Sequence, residues 1–526
     1  MIGEKVFVAD QKSQDMIIAL CREILGHVDG DVVDAKSKVA AQYFTLRRTG
    51  REWGVKFPNY SVSPVATGQR TRNAVGMEAY PSTDSLAARN DFDSYSVFNG
   101  LECNGYVDAT TREFVVTYFK GEDGYSETEN DKWVLFGTHW FKVDFTDGEE
   151  DVITDTPKEG FCPEGAAIRA DGTIRPFVAI AAYGASEGSD GKAASVSGRM
   201  PYYNMSHNTC ITKATAKGAQ YCMTTQQDRA HMDMLFLITF ATRNSQSIMA
   251  GATSYYLQYA VAVAEENVER VVVTNAQASG FVIGSIVSIG DKGSNESPDR
   301  GNSYMHNIVN RKQITAIEDI GDGKSAIYVD NGGTKFTTTK TTYISTMPWK
   351  TGETDSVLGT CGSPVSNTSG KFPYKLYNVE YAWGQYEVVS NVVMKITNGV
   401  MKPHICYDCK LLSTSAPTEA YNEVNMVIPN NGGSWKYVAE LGYDPAHPTV
   451  RYGVTVGATS STGYCDGQYT EDLTGNLNGS REVLVGGSLD IGASAGRCCA
   501  HLLGGLGRAW WNIAARLSAS GSCAAA

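Results

Sequence analysis

VGGSLDIGASAGRCCAHLLGGLGRAWWNIAARL, residues 485–517, decides how the rest of the chain is read. It sets paired glycines (Gly486-Gly487 and Gly504-Gly505) and a tryptophan pair (Trp510-Trp511) around side chains that look arbitrary in size and polarity. Those are Leu489, Asp490, Ile491, Ser494, Cys499, His501, Leu503, Gly504, Arg508 and Trp510. Gly504, Gly505 and Gly507 let the backbone turn tightly beneath them. A fixed scaffold carrying arbitrary side chains is how an antibody paratope is built, and it points to binding rather than turnover.

The frame is Gly-Gly-Ser (486–488), Gly-Ala-x-Ala-Gly-Arg (492–497) and Trp-Asn-Ile-x-Ala-Arg-Leu-Ser (511–518). It resembles the variable region of C-type-lectin-fold proteins that retroelements diversify in phages and gut bacteria. Ala514 departs from it, standing where the family usually has Gly, as does Leu489, where the family usually has Trp. YAWGQYE (381–387) resembles the Leu-Trp-Gly-Asn-Val-Trp-Glu element of the formylglycine-generating-enzyme branch of that fold. IRPF (174–177), SHN (206–208) and NSQ (244–246) resemble segments of phage tail proteins that carry the domain. YCDGQY (464–469), with Tyr464, Asp466, Gln468 and Tyr469, resembles a second exposed stretch beside the variable one.

Bulk composition agrees with a folded, turn-rich protein. A chain of 526 residues has length for two to four domains and a large core. Hydrophobic and charged fractions of 42% and 19% exclude wholesale disorder. With 54 Gly and 28 Tyr, short strands joined by tight turns are expected, and helix cannot dominate. A net charge of −12 without a basic stripe argues against nucleic acid as a partner. No apolar h-region follows the first residues, and the longest apolar run, 234–241, is too short to span a bilayer. The twelve cysteines show no framework spacing and are expected as reduced thiols.

Along the chain, residues 10–26 predict an amphipathic helix with the stripe Met16, Ile17, Leu20, Ile24 and Leu25, a candidate for self-association. Residues 50–99 are polar, carry Pro58, Pro64 and Pro81, and suggest an extended collar. EFVVTYFK (113–120) and WVLFGTHWFKVDF (133–145) have strand composition. Residues 223–245 predict a buried helix, with Thr225 and Asp228 placed as a capping box. NVERVVVTN (267–275), GFVIGSIVSIGD (280–291), RKQITAIEDI (311–320) and KSAIYVDNG (324–332) predict four strands of an inserted β unit.

Several motifs do not mature into chemistry. Gly492-Ala-Ser-Ala-Gly496 matches the nucleophile elbow by letter, but only His501 follows, with no Asp between. Asp322-Gly-Lys-Ser325 has Glu318 where a phosphate loop needs its first Gly, so it predicts a hairpin turn. Cys406-Tyr-Asp-Cys409 with His404 is half a zinc pattern lacking its other half. Cys498-Cys499 and Cys523 lack the copper-binding spacing of formylglycine-generating enzymes, and neither His207 nor His231 begins the iron triad of the sulfoxide synthases. Ile428-Pro-Asn430 lacks the carboxylate of calcium-dependent lectins.

The resemblance therefore implies an α+β chain. A helix at 1–30 and a collar at 31–99 would precede a C-type-lectin-like domain in two parts, 100–266 and 351–526, with an all-β insert at 267–350. It implies a tail-tip adhesin of a phage or prophage, made in the bacterial cytoplasm and ending in the virion. Its partners would be a bacterial cell-surface receptor, protein or glycan, and other tail proteins, with homotrimerisation by analogy. No catalytic set, cofactor, metal or membrane insertion is expected. A non-catalytic virion or baseplate subunit and a formylglycine-generating-type enzyme are the alternatives.

Overall fold

The computed structural model describes residues 32–382 and 384–521. The stripe from Met16 to Leu25 lies outside the described residues. Strand outweighs helix, 36% against 13%, in a mixed fold that is mostly β.

A six-stranded sheet organises the first half, in the order Cys222–Met223, Arg516–Ser518, Phe177–Gly184, Lys132–Gly137, Leu101–Val107, Phe114–Phe119. Both faces are buried, which explains why FVAIAAYG reads as a continuous apolar run. Phe177, Ala179 and Ala181 enter one hydrophobic cluster, and Val178, Ile180 and Ala182 enter another. That is the two-residue period of a strand packed on both sides. Helix α1 (Val32–Leu46), through Val39 and Phe44, and α2 (His207–Lys217), through Cys210 and Ala214, cover one face. Helix α3 (Gln226–Phe240) covers the other with Met232, Leu235 and Phe236. Beside it lies a five-stranded antiparallel sheet, Gln69–Arg72, Glu52–Phe57, Glu149–Thr154, Trp140–Asp144, Cys162–Pro163. The Thr225 side chain accepts from the Asp228 N–H at the start of α3, so the N-cap half of the expected capping box forms, while the Asp228 carboxylate accepts from Ser520 Oγ.

Two expectations are corrected here. The stretch 31–99 is no extended collar: its described residues, 32–99, supply α1 and two strands, and Trp53, Val55, Phe57, Phe92 and Phe98 are wholly buried. The run 133–145 is not one strand. It breaks at Gly137-Thr138-His139, and Trp140–Asp144 passes into the five-stranded sheet.

Residues 258–347 form a second six-stranded sheet, ordered Gln258–Ala260, Thr342–Met347, Ile286–Asp291, Val309–Gly321, Lys324–Val329, Arg270–Thr274. It has its own core, including Val271, Val273, Ile289, Ile314, Ile327 and Ile344. The sheet thus begins before Asn267, and its two flanking strands pair with each other. Asp322 and Gly323 turn the hairpin with φ of 52° and 68°, the left-handed pair a two-residue turn requires. Ile286, Met347 and Trp349 join Ala252, Tyr255, Leu489 and Trp511 in a seam with the rest of the molecule.

The remaining chain builds a nine-stranded sheet. Its central order is Tyr386–Thr397, Gly479–Gly486, Gly496–Leu502, Gly467–Thr470, Ser434–Leu441, and Ile513–Ala514 pairs in parallel with Tyr386–Thr397. A few residues later, Arg516–Ser518 enters the first sheet, so the C-terminal segment ties both halves together. The ten described cysteines are all free thiols. Among the described residues, no helix is long and apolar enough to cross a membrane.

Candidate binding face

Strand Gly496–Leu502 lies between Gly479–Gly486, antiparallel, and Gly467–Thr470, parallel, so His501 stands beside Tyr469 in register. Ala500 and Leu502 point into the core of the nine-stranded region, while Cys499 and His501 point to the opposite side. The His501 ring stacks on Tyr469, with centroids 5.0 Å apart and 13° between planes. Trp435, on the next strand, lies 5.5 Å from Tyr469 and 5.7 Å from His501, and Tyr386 closes the group at 5.6 Å from His501. Trp435, Tyr469 and His501 are all partly exposed. Gly467 allows this grouping, because a Cβ there would meet the Trp435 ring at 2.8 Å and Ser494 Cβ at 2.9 Å. Ile491, half-buried, packs against the main core beneath this group.

Burial first, and then the nearby Arg508 cation, push His501 down to about 4, so it presents a neutral ring. Arg508 and Asp490 are exposed, Leu503 is half-buried, and the Asp490 carboxylate accepts from Ser488 Oγ. Asp490 also links two edges of this surface, acting electrostatically on Tyr386 to one side and on Tyr256 and Arg300 to the other.

That second edge is shared with the 258–347 unit. Trp510 is 39% exposed, and its indole rests on Gly301, where a Cβ would come within 2.4 Å of the ring. The Arg300 guanidinium lies 3.5 Å from the Tyr256 ring and 5.8 Å from that of Trp511. Arg311 lies 3.5 Å from the Tyr203 ring. Burial pulls both arginines down to about 10, which leaves them charged at neutral pH. Tyr203 and Tyr256 are substantially exposed. Sequence reasoning missed Trp435, Tyr203 and Tyr256, which only the pairing of distant segments brings to this surface, and Arg300 and Arg311, which lie buried beneath it.

Other expected site residues are interior. Tyr464 is 1% exposed, donates to the Glu149 carboxylate at 3.0 Å and packs on the Arg243 guanidinium. Asp466 accepts from the Cys498 N–H at 2.8 Å, and Gln468 bonds both the N–H and the carbonyl of Gly453. Of the expected exposed stretch, therefore, only Tyr469 reaches the surface. Leu489 belongs to the seam, Cys499 is buried in the main core and Gly504 is buried against Glu482. None of these six is available to a ligand. Beneath the face, Trp511, Asn512, Ile513 and Arg516 are buried.

Gly492–Ser494 is a single turn between two strands, not the strand-to-helix elbow that a nucleophilic serine needs. Cys406, Cys409 and His404 do not converge: Cys406 Sγ donates to the Asp408 carbonyl, while Cys409 meets Arg112 Nη2 at 3.3 Å. Among the described residues, the metal-ligating side chains that do converge are His139, Glu164 and His231, around α3. No protein-family model matches this chain, and no curated protein matches it.

Proposed function

We propose that this chain is a receptor-binding adhesin of a phage or prophage tail, with a C-type-lectin fold and a ligand-binding face diversified by a retroelement. The observation that carries the reading is a division of labour within one short segment. Asp490, His501, Arg508 and Trp510 are presented, whereas Leu489, Trp511, Asn512 and Arg516 lie buried beneath them. Half-exposed Trp435, Tyr469, Tyr256 and Trp510 supply large contact area at low rotamer cost, as paratope anchors do. Arg508 and Asp490 add exposed charge of both signs for orienting a partner. The partner is a bacterial cell-surface receptor, protein or glycan, and the chain assembles with other tail proteins as a homotrimer in the virion. It binds and does not turn over a substrate.

The decisive experiment replaces Asp490, His501, Arg508 and Trp510 together by Ala and measures binding to whole gut-bacterial cells. The variant keeps its fold and loses binding, because a central anchor is worth about 2 kcal/mol or more. Normal cell binding by the folded variant refutes the face. In the coding DNA, the reading expects a near-identical template repeat beside a reverse transcriptase, with mismatches confined to template adenines.

A further inference from the structure

His139 and Glu164 stand 25 positions apart, and Glu164 and His231 stand 67 apart. The fold brings them together at the corner where the chain leaves the central sheet for the five-stranded one. His139 is the last residue of that corner, and Glu164 follows the short strand Cys162–Pro163, which pairs with Trp140–Asp144. His231 projects from the second turn of α3. All three are at most 3% exposed. The His139 N–H donates to Glu164 Oε1 at 3.0 Å and the Glu164 N–H donates to the His139 carbonyl at 3.1 Å, which fixes the carboxylate. The two imidazoles lie 5.1 Å apart, and Glu164 Oε2 contacts His231 Nδ1.

Hydrogen bonding leaves this cluster unfinished. His139 Nδ1 and His231 Nε2 are buried without a hydrogen-bond partner, as is Gln227 Nε2 nearby. Each such group is destabilising if left unmet. All three side chains border a cavity of about 60 Å³ lined also by Gln226, Gln227 and Thr449, which has room for water. Two ligands on a tetrahedral ion with bonds of about 2.0–2.1 Å stand about 3.3–3.4 Å apart. His139 Nδ1 and Glu164 Oε1 are separated by 3.4 Å, and one donor atom from each of the three residues lies within 4.8 Å of the others. The cationic groups in the cavity wall are already matched, Arg451 by Glu149 and Asp151 and Arg229 by Asp233.

We propose that His139, Glu164 and His231 bind one divalent transition-metal ion, with zinc the best match to the donors and water in the fourth position. Two imidazoles and one carboxylate suit a borderline ion, whereas calcium and magnesium require mostly oxygen. Such an ion clamps the sheet corner, the end of a strand and α3 to one another.

The test strips the full-length protein with chelator and titrates it with Co²⁺, then with competing Zn²⁺. Expected are one Co²⁺ per chain with tetrahedral visible absorption and no thiolate charge-transfer band, displacement by Zn²⁺, and a higher melting temperature with metal. Glu164→Gln and His231→Gln should each weaken binding by more than the roughly 10–100-fold that outer-shell partners are worth. His207→Gln, at an equally buried histidine elsewhere, should leave binding unchanged. Absence of stoichiometric Co²⁺, a thiolate band, or full affinity in a folded Glu164→Gln variant overturns the proposal. If the variants do not fold, the wild-type titration and spectrum decide.

Discussion

Leu489 and Asp490 are adjacent in the sequence and opposite in role, so replacing each in turn by Ala tests the division between frame and face. Leu489 is wholly buried in the seam with Tyr255, Ile286, Met347, Trp349 and Trp511, and its Cδ2 lies against Gly384. Leu489→Ala removes three carbon groups, worth about 2.4 kcal/mol at roughly 0.8 kcal/mol each. A void of up to roughly 75 Å³ left behind adds about 1.8 kcal/mol at about 24 cal/mol per Å³, less whatever the site recovers by collapsing. The expected cost is therefore about 2.5–4 kcal/mol. Asp490→Ala removes an exposed carboxylate and its bond from Ser488 Oγ, a change of about 0.5–1 kcal/mol. Leu489→Met, which keeps the volume, should cost less than about 1.5 kcal/mol. Urea unfolding followed by circular dichroism reads all three. Limited proteolysis should also find the 258–347 unit loosened in Leu489→Ala, because the seam holds that unit to the rest. A cost below about 1 kcal/mol for Leu489→Ala, or an equal cost for Asp490→Ala, would refute the assignment of Leu489 to the frame.

Burial pushes the Glu482 carboxyl up to about 8 from an ordinary 4.5. The folded state then holds a proton the unfolded chain has released, so this group lowers stability as pH rises through that interval, by up to about 1.4 kcal/mol per unit. Glu482→Gln retains an acceptor for the His207 N–H and should gain on wild type between about pH 5 and 8; parallel melting curves would reject a protonated Glu482. At Gly496, with φ of 147°, a Cβ would fall 2.0 Å from the Asp466 carboxylate, so Gly496→Ala should cost more than about 3 kcal/mol and most of the soluble yield. Gly505→Ala, with nothing within 4 Å, should be neutral by the same thermal melts, and a matched loss at both would show that space is not the cause.

What was legible in the chain was local. The cap at Thr225, the Asp322-Gly323 hairpin and the strand runs at 113–120 and 311–332 depend on residues a few positions apart, and turn chemistry and side-chain period reveal them. Residues 50–99 misled because their polar and proline content reflects punctuation between short buried pieces. Trp53, Val55 and Phe57 alternate inward over only six residues, and the sheet that buries them arrives with Glu149–Thr154, about a hundred positions later. The corner at Gly137-Thr138-His139 was invisible for a related reason. WVLFGTHWFKVDF has strand composition throughout, and only the separate partners of its two halves divide it.

The candidate site was legible to the extent that it rests on spacing, and it failed where polar side chains are interior. Tyr464, Asp466 and Gln468 have the composition of a wet surface, yet each is satisfied by a partner inside the fold, Tyr464 by Glu149 from 315 positions away. The same holds for the two arginines of the frame. Arg497 pairs with Asp233 of α3, and Arg516 reaches Glu387 and the Ala181 carbonyl, so the charges that look most available are those that lock the C-terminal segment to both sheets. Removing one partner of a buried ion pair leaves the other charge uncompensated and costs about 3–5 kcal/mol. Asp490, Arg508 and Trp510 are exposed, so truncating them strands no buried charge. Substitution is thus costly at the positions that hold the segment and inexpensive at those that present it, which would let the proposed binding surface change without the fold changing with it.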